Sequence, residues 1–240
     1  MVRAIRVGAM LIDQSAYVLH ARPWRETSLL LECLTAEHGR VGMVARGVRK
    51  PRARLSQSQL QPFQALRLSY VQRGELGTLR GAEPESRPVS LAGHALLSGL
   101  YVNELVVRLC GRDDPHPALF GLYRTTLSRL GSSAPPAWTL RRFERDFLAG
   151  LGYAMELRFD AGDGAPLQPQ VDYRYEPEHG PVPADGLPGP LVRGADLLAW
   201  DSDAMPDAAA MRRLRHLSRS VLLHHLDGVP LRSWRVLRKL

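Results

Sequence analysis

Phe63-Gln64-Ala65-Leu66-Arg67-Leu68-Ser69-Tyr70-Val71 alternates its side chains, with Leu66, Leu68 and Tyr70 on one side and Arg67 and Ser69 on the other. A period of two is the signature of a half-buried strand. Downstream, the Arg73-Gly74 turn leads into a second β-prone stretch, Glu75 to Ala82. Upstream lie Ala16 to His20, a near-continuous apolar run from Thr27 to Thr35, and Arg40 to Ala45 after the turn at His38-Gly39. Five short strands bounded by glycine and proline turns predict a small closed sheet. Closure removes exposed sheet edges, and the OB-fold is the common five-stranded solution. Periodicity predicts the strands but not their pairing.

From about Leu91 the period changes. Leu97, Tyr101, Leu105 and Leu109 mark one helical face, and Leu119, Tyr123, Leu127 and Leu130 a second. Leu140, Phe143, Phe147 and Leu151 mark a third, ended by Gly150 and Gly152. Met211, Leu214, Leu217 and Val221 mark a fourth, stopped by Asp227-Gly228 and Pro230. The expected fold class is α+β: an N-terminal five-stranded OB-fold β-barrel over 1–84, then an α-helical C-terminal domain over 85–240. An irregular Gly/Pro-rich insertion is expected near 160–190, with a short β element at Val171 to Tyr175.

The 240 residues carry a net charge of +8. Residues 1–80 hold 13 Arg/Lys against 5 Asp/Glu, whereas residues 81–240 hold 19 of each. The whole excess sits in the barrel third, the footprint of a polyanion-binding module. Lys50 and Lys239 are the only lysines, so base composition accounts for arginine over lysine but not for this segregation. No apolar run is long enough to cross a bilayer, and Met1 to Gln14 lacks the apolar core of a secretory signal. Two cysteines, Cys33 and Cys110, make neither a disulfide framework nor a four-thiolate zinc site. A reducing cytoplasm is the expected location, with no membrane partner.

Signals for catalysis are sparse. There is no phosphate-binding G-x-x-x-x-G-K-S/T or G-x-G-x-x-G loop, and Ser98 lacks the glycine of a nucleophile elbow. His224 and His225 are neighbours, so they diverge by about 100° on a helix, and His216 lies roughly 12 Å away along its axis. No metal site, no cofactor and no small-molecule substrate are therefore expected. Asp201 and Asp203 would be too few carboxylates for a metal-dependent nuclease. The expectation is a binding protein and not an enzyme.

The strongest constellation is Arg46-Gly47-Val48-Arg49-Lys50-Pro51-Arg52-Ala53-Arg54, five cations in nine residues, with no acid from Gly39 through Tyr70. Gly47 and Pro51 exclude a regular strand, so Arg46, Arg49, Lys50, Arg52 and Arg54 project from a connection. Arg22, Trp24 and Arg25 form a smaller cluster at another connection, where Trp24 either stacks on a base or covers the barrel core. Aromatics are few in this third, so phosphate contacts should outweigh stacking. Five phosphate contacts would give a single-strand log–log salt slope of roughly −3 to −4.

Tyr17-Val18-Leu19-His20-Ala21-Arg22-Pro23-Trp24-Arg25-Glu26-Thr27-Ser28 resembles the opening of bacterial RecO proteins. So do Glu37-His38-Gly39-Arg40, Val44-Ala45-Arg46-Gly47, Leu60-Gln61-Pro62-Phe63 and Arg73-Gly74-Glu75-Leu76. Ser98-Gly99-Leu100-Tyr101-Val102-Asn103-Glu104-Leu105, Leu140-Arg141-Arg142-Phe143-Glu144, Leu151-Gly152-Tyr153 and Gly228-Val229-Pro230-Leu231-Arg232-Ser233 continue in order. The resemblance implies a recombination mediator of the RecF pathway that binds single- and double-stranded DNA and anneals complementary strands. It also implies work with RecR to load recombinase on strands coated by single-strand-binding protein (SSB). Recognition of the acidic, aromatic-ended SSB C-terminal tail falls to the helical domain, where Arg141 and Arg142 are the candidates. Some members carry a four-cysteine zinc motif in the segment equivalent to 160–190; this chain has no cysteine there. The competing reading is an OB-fold RNA-binding module in ribosome or tRNA maturation.

Overall fold

The computed structural model describes residues 10–184 and 191–237. Most of the N-terminal stretch weighed as a signal, the end of the Gly/Pro-rich insertion and Lys239 lie outside them. The described chain divides into two compact units, one of residues 1–90 and 103–120, the other of residues 91–102 and 121–240.

In the first unit five strands close a barrel: β1 (Leu11–Trp24), β2 (Ser28–Thr35), β3 (Gly39–Ala45), β4 (Ala65–Arg73) and β5 (Leu76–Pro84), in the order β1-β2-β3-β5-β4. All pairs are antiparallel except β3 with β5. β1 is long enough to serve both neighbours: its first half pairs with β4, its second with β2. A register shift between Val18 and His20 bends it where it changes partner, as bulges do in small barrels. The alternation of β4 reads out directly, with Leu66, Leu68 and Tyr70 buried beside Leu31, Met43 and Val41.

Residues 103–120 complete this unit. Asn103 donates its side-chain amide to the Leu19 carbonyl at 2.9 Å, and the Asp113 N–H donates to the Arg40 carbonyl at 2.8 Å. Arg40 pairs with Glu32 at 2.6 Å and donates its Nε to the Cys110 carbonyl, while Arg112 takes the other Glu32 oxygen. Gly39 is required at this approach. It has φ +65°, and a Cβ there would stand 1.9 Å from the Asp114 carbonyl oxygen. Cys33 and Cys110 are both buried free thiols, and burial pushes Cys110 up to about 11.

Six helices are described: α1 (Gly93–Leu109), α2 (Pro117–Leu130), α3 (Pro136–Gly150), α4 (Gly194–Asp201), α5 (Ala208–His225) and α6 (Ser233–Leu237). The core of the second unit gathers Phe143, Phe147, Trp200, Leu214 and Leu217. Asp207 caps α5 by accepting from the Ala210 N–H, which holds its carboxyl below the usual range.

The β element expected at Val171 to Tyr175 is present, but the insertion is more regular than expected, because two further strands pair with it. β6 (Asp172–Glu176), β7 (Gly180–Pro183) and β8 (Leu191–Arg193) form a three-stranded antiparallel sheet in the order β7-β6-β8. Asp160 organises the preceding loop, accepting the Gly162 N–H at 2.7 Å and donating its own N–H to the Ala165 carbonyl. The two further strands, of four and three residues, the first carrying Pro181 and Pro183, are too short for an alternation to stand out.

Candidate nucleic-acid interface and helical pocket

Two strand connections carry the basic clusters, and register decides where they lie. Trp24 pairs with Ser28 at the β1–β2 turn, and the next β2 residue, Leu29, pairs with Ala45 at the end of β3. Both connections therefore leave the same end of the barrel. A backbone bond from the Arg49 N–H to the Thr27 carbonyl, 3.0 Å, joins them. Val48 is buried in the barrel core and Leu55 packs against it, so the basic loop is anchored at its centre. Bonds from Lys50 N–H to Gly47 and from Ala53 N–H to Lys50 then shape two tight turns.

Arg22, Arg25, Arg46, Arg49, Lys50, Arg52 and Arg54 are all exposed at this rim. None of the seven enters an ion pair among the described residues. Long cations left without carboxylates around an ordered loop concentrate positive potential, the arrangement that meets phosphates. Trp24 is half-buried at the same rim and is not part of the barrel core cluster. Trp24→Ala is expected to weaken single-strand binding by about tenfold, within the ~1–3 kcal/mol of one stacked base. An unchanged affinity in a titration would remove Trp24 from the interface.

The two arginines of α3 separate. Arg142 turns to Asp203, which Arg145 also approaches at 3.6 Å. Arg141 is only 6% exposed and lies on no open helix face. Its guanidinium pairs with Glu144, itself fully buried. Glu144 also accepts from the Tyr101 hydroxyl at 2.6 Å and from Ser218. Burial, and secondarily the Glu144 charge, pushes the Tyr101 hydroxyl well up, so it stays a donor. Two Arg141 nitrogens, Nε and one terminal NH, have no hydrogen-bond partner among the described residues.

Arg141 lines a pocket of about 500 Å³, within the range of small-ligand sites. Pro136, Leu140, Met211 and Trp234 supply apolar walls, and Arg215 and Arg219 of α5 bring two further cations. Arg219 lies over the Trp234 ring at 5.4 Å. Desolvation, then repulsion from Arg215 and Arg141, lowers its proton affinity, the response of a cation in an electropositive pocket. Sequence reading found Arg141 but missed Arg215, Arg219 and Trp234 as parts of this site, because its walls come from four separate segments.

Two family models match the chain: recombination protein O N terminal over residues 10–87, and recombination protein O C terminal over residues 91–235. The chain belongs to the RecO family. DNA repair protein RecO of Xanthomonas euvesicatoria pv. vesicatoria is 48% identical over 237 residues, covering 96% of this chain and 98% of that protein. The RecO protein of Stenotrophomonas maltophilia strain R551-3 is 45% identical over 232 residues, covering 95% and 97%. Membership of RecO places the chain in DNA repair and recombination, and the barrel is the OB-like RecO N-terminal domain. No described helix is long and apolar enough to cross a membrane. A four-cysteine zinc site does not fit this RecO chain: residues 160–190 contain no cysteine, and Cys33 and Cys110 are buried in the barrel unit.

Proposed function

We propose that the chain is a recombination mediator whose barrel rim holds DNA by its phosphates and whose helical pocket takes the SSB C-terminal tail. The observation that carries the reading is the joining of two basic connections at one barrel end through the Arg49–Thr27 bond. Seven unpaired cations there hold single or double strands with little sequence preference, since phosphates carry no sequence. Neutralising two backbones lowers their repulsion, and complementary strands anneal. In the pocket, Arg141, Arg215 and Arg219 take the tail's carboxylates, while Leu140, Met211 and Trp234 receive its terminal ring. RecR is the further partner that membership of the family supports, with recombinase loading as the outcome.

The test is annealing of complementary oligonucleotides coated with SSB. Acceleration by the wild-type chain, lost when the SSB tail is deleted, is the expected result. Arg219→Ala should weaken a fluorescent tail peptide by at least about tenfold, the scale of one charge-assisted contact. It should leave affinity for naked DNA unchanged. Equal loss of both would reject the division of labour. A preference for RNA over matched DNA strands would reject the DNA assignment.

A further inference from the structure

One cluster of ligating side chains lies outside both sites. His224 and His225 occupy the last turn of α5, and the β6–β7 turn carries Glu178 up to them. Glu178 Oε1 lies 3.1 Å from His224 Nε2, and one ligating atom from each of Glu178, His224 and His225 falls within 4.8 Å of the others. Among the described residues no other group of three or more such side chains meets that distance. Neighbouring helical positions were expected to diverge. The two rings instead stand edge to face with centroids 5.3 Å apart, and Tyr153 stacks on His225 at 4.4 Å, holding its plane.

We propose that Glu178, His224 and His225 bind a zinc ion that pins the β6–β7 turn to the C-terminal end of α5. Two imidazoles and one carboxylate are a donor set that suits Zn²⁺ and not Mg²⁺ or Ca²⁺, which take oxygen ligands. Tetrahedral zinc with bonds of ~2.0–2.1 Å separates its donors by about 3.3 Å, so the set closes with side-chain shifts of roughly 1 Å. The helix end adds to the attraction, because the last carbonyls and the macrodipole of α5 place negative potential there. Entry is open, since Glu178 and His224 side chains are 61% and 48% exposed. Glu178 stands at φ +67°, a conformation uncommon for a residue with a side chain, at the tip of the turn. With three protein ligands, water completes the shell.

The experiment is calorimetric titration of the tag-free, chelator-treated chain with Zn²⁺, with Mg²⁺ in parallel. One zinc ion per chain and no magnesium binding are expected. Glu178→Gln and His224→Ala should each weaken zinc by at least about 10–100-fold, the loss already seen for groups that only orient ligands. His116→Ala, paired with Asp114 elsewhere, should leave it unchanged. Cobalt(II) in place of zinc should give a visible absorption band that both substitutions abolish. Melting in chelator should match wild type for both, because the ligands are surface residues. Zinc uptake at wild-type affinity by either ligand variant, or none by the wild-type chain, overturns the site.

Discussion

Replacing Arg49, Lys50, Arg52 and Arg54 together with alanine is expected to shrink the affinity that single-strand DNA binding loses between ~50 and ~200 mM salt from about a thousandfold to about twentyfold. Each phosphate contact contributes roughly −0.7 to the log–log slope on single strands. Seven rim cations give a slope near −5, a loss of about a thousandfold in affinity between ~50 and ~200 mM salt. Three give a slope near −2 and a loss of only about twentyfold over the same range. Folding should be little affected, because the four side chains are exposed and without ion-pair partners, and such surface changes usually fall within about ±0.5 kcal/mol. Val48 and the Arg49 backbone bond, which anchor the loop, are retained. Slopes are measured by anisotropy across a salt series, with annealing rates alongside. A slope unchanged within error would mean the loop does not meet phosphates, whatever its charge.

The expectation of a basic rim and its proof of position come from different levels. Five cations in nine residues are visible along the chain, and so is the alternation that makes β4 a strand. That Arg22 and Arg25 join them depends on the register of β2, where Ser28 and Leu29 face β1 and β3 in turn. Register is a tertiary property, fixed by which faces the closed barrel buries. The pocket was less legible for the same reason. Arg141 and Arg142 are adjacent in sequence, and only packing against Tyr101 and Ser218 decides that one is drawn to buried Glu144 and the other to Asp203. Of the 172–193 sheet only its middle strand was legible, as the short β element at Val171 to Tyr175; β7 and β8 are shorter than the window in which a period of two can be recognised.

Glu144→Leu is expected to be the most destabilising single change, at about 3–5 kcal/mol, because it strands a buried guanidinium. Among the described residues Arg141 has no second carboxylate, and its Nε and one terminal nitrogen already lack partners. Tyr101 and Ser218 would also lose their acceptor, at about 1–3 kcal/mol for each buried donor left unmade. Against a total stability of about 5–15 kcal/mol this is a large share, and urea unfolding followed by circular dichroism measures it. Adding Arg141→Met to Glu144→Leu should restore about 2 kcal/mol or more, since removing both charges of a buried pair is close to neutral. The double variant then separates folding from recognition: refolded, it should still fail to hold the SSB tail peptide, having lost a cation of the pocket. Glu144→Leu within about 1 kcal/mol of wild type, well below the cost of a stranded buried charge, would show that Arg141 is not held by Glu144. Recovery of stability together with full peptide affinity would show that Arg141 serves the fold alone, leaving the tail to Arg215 and Arg219 of α5.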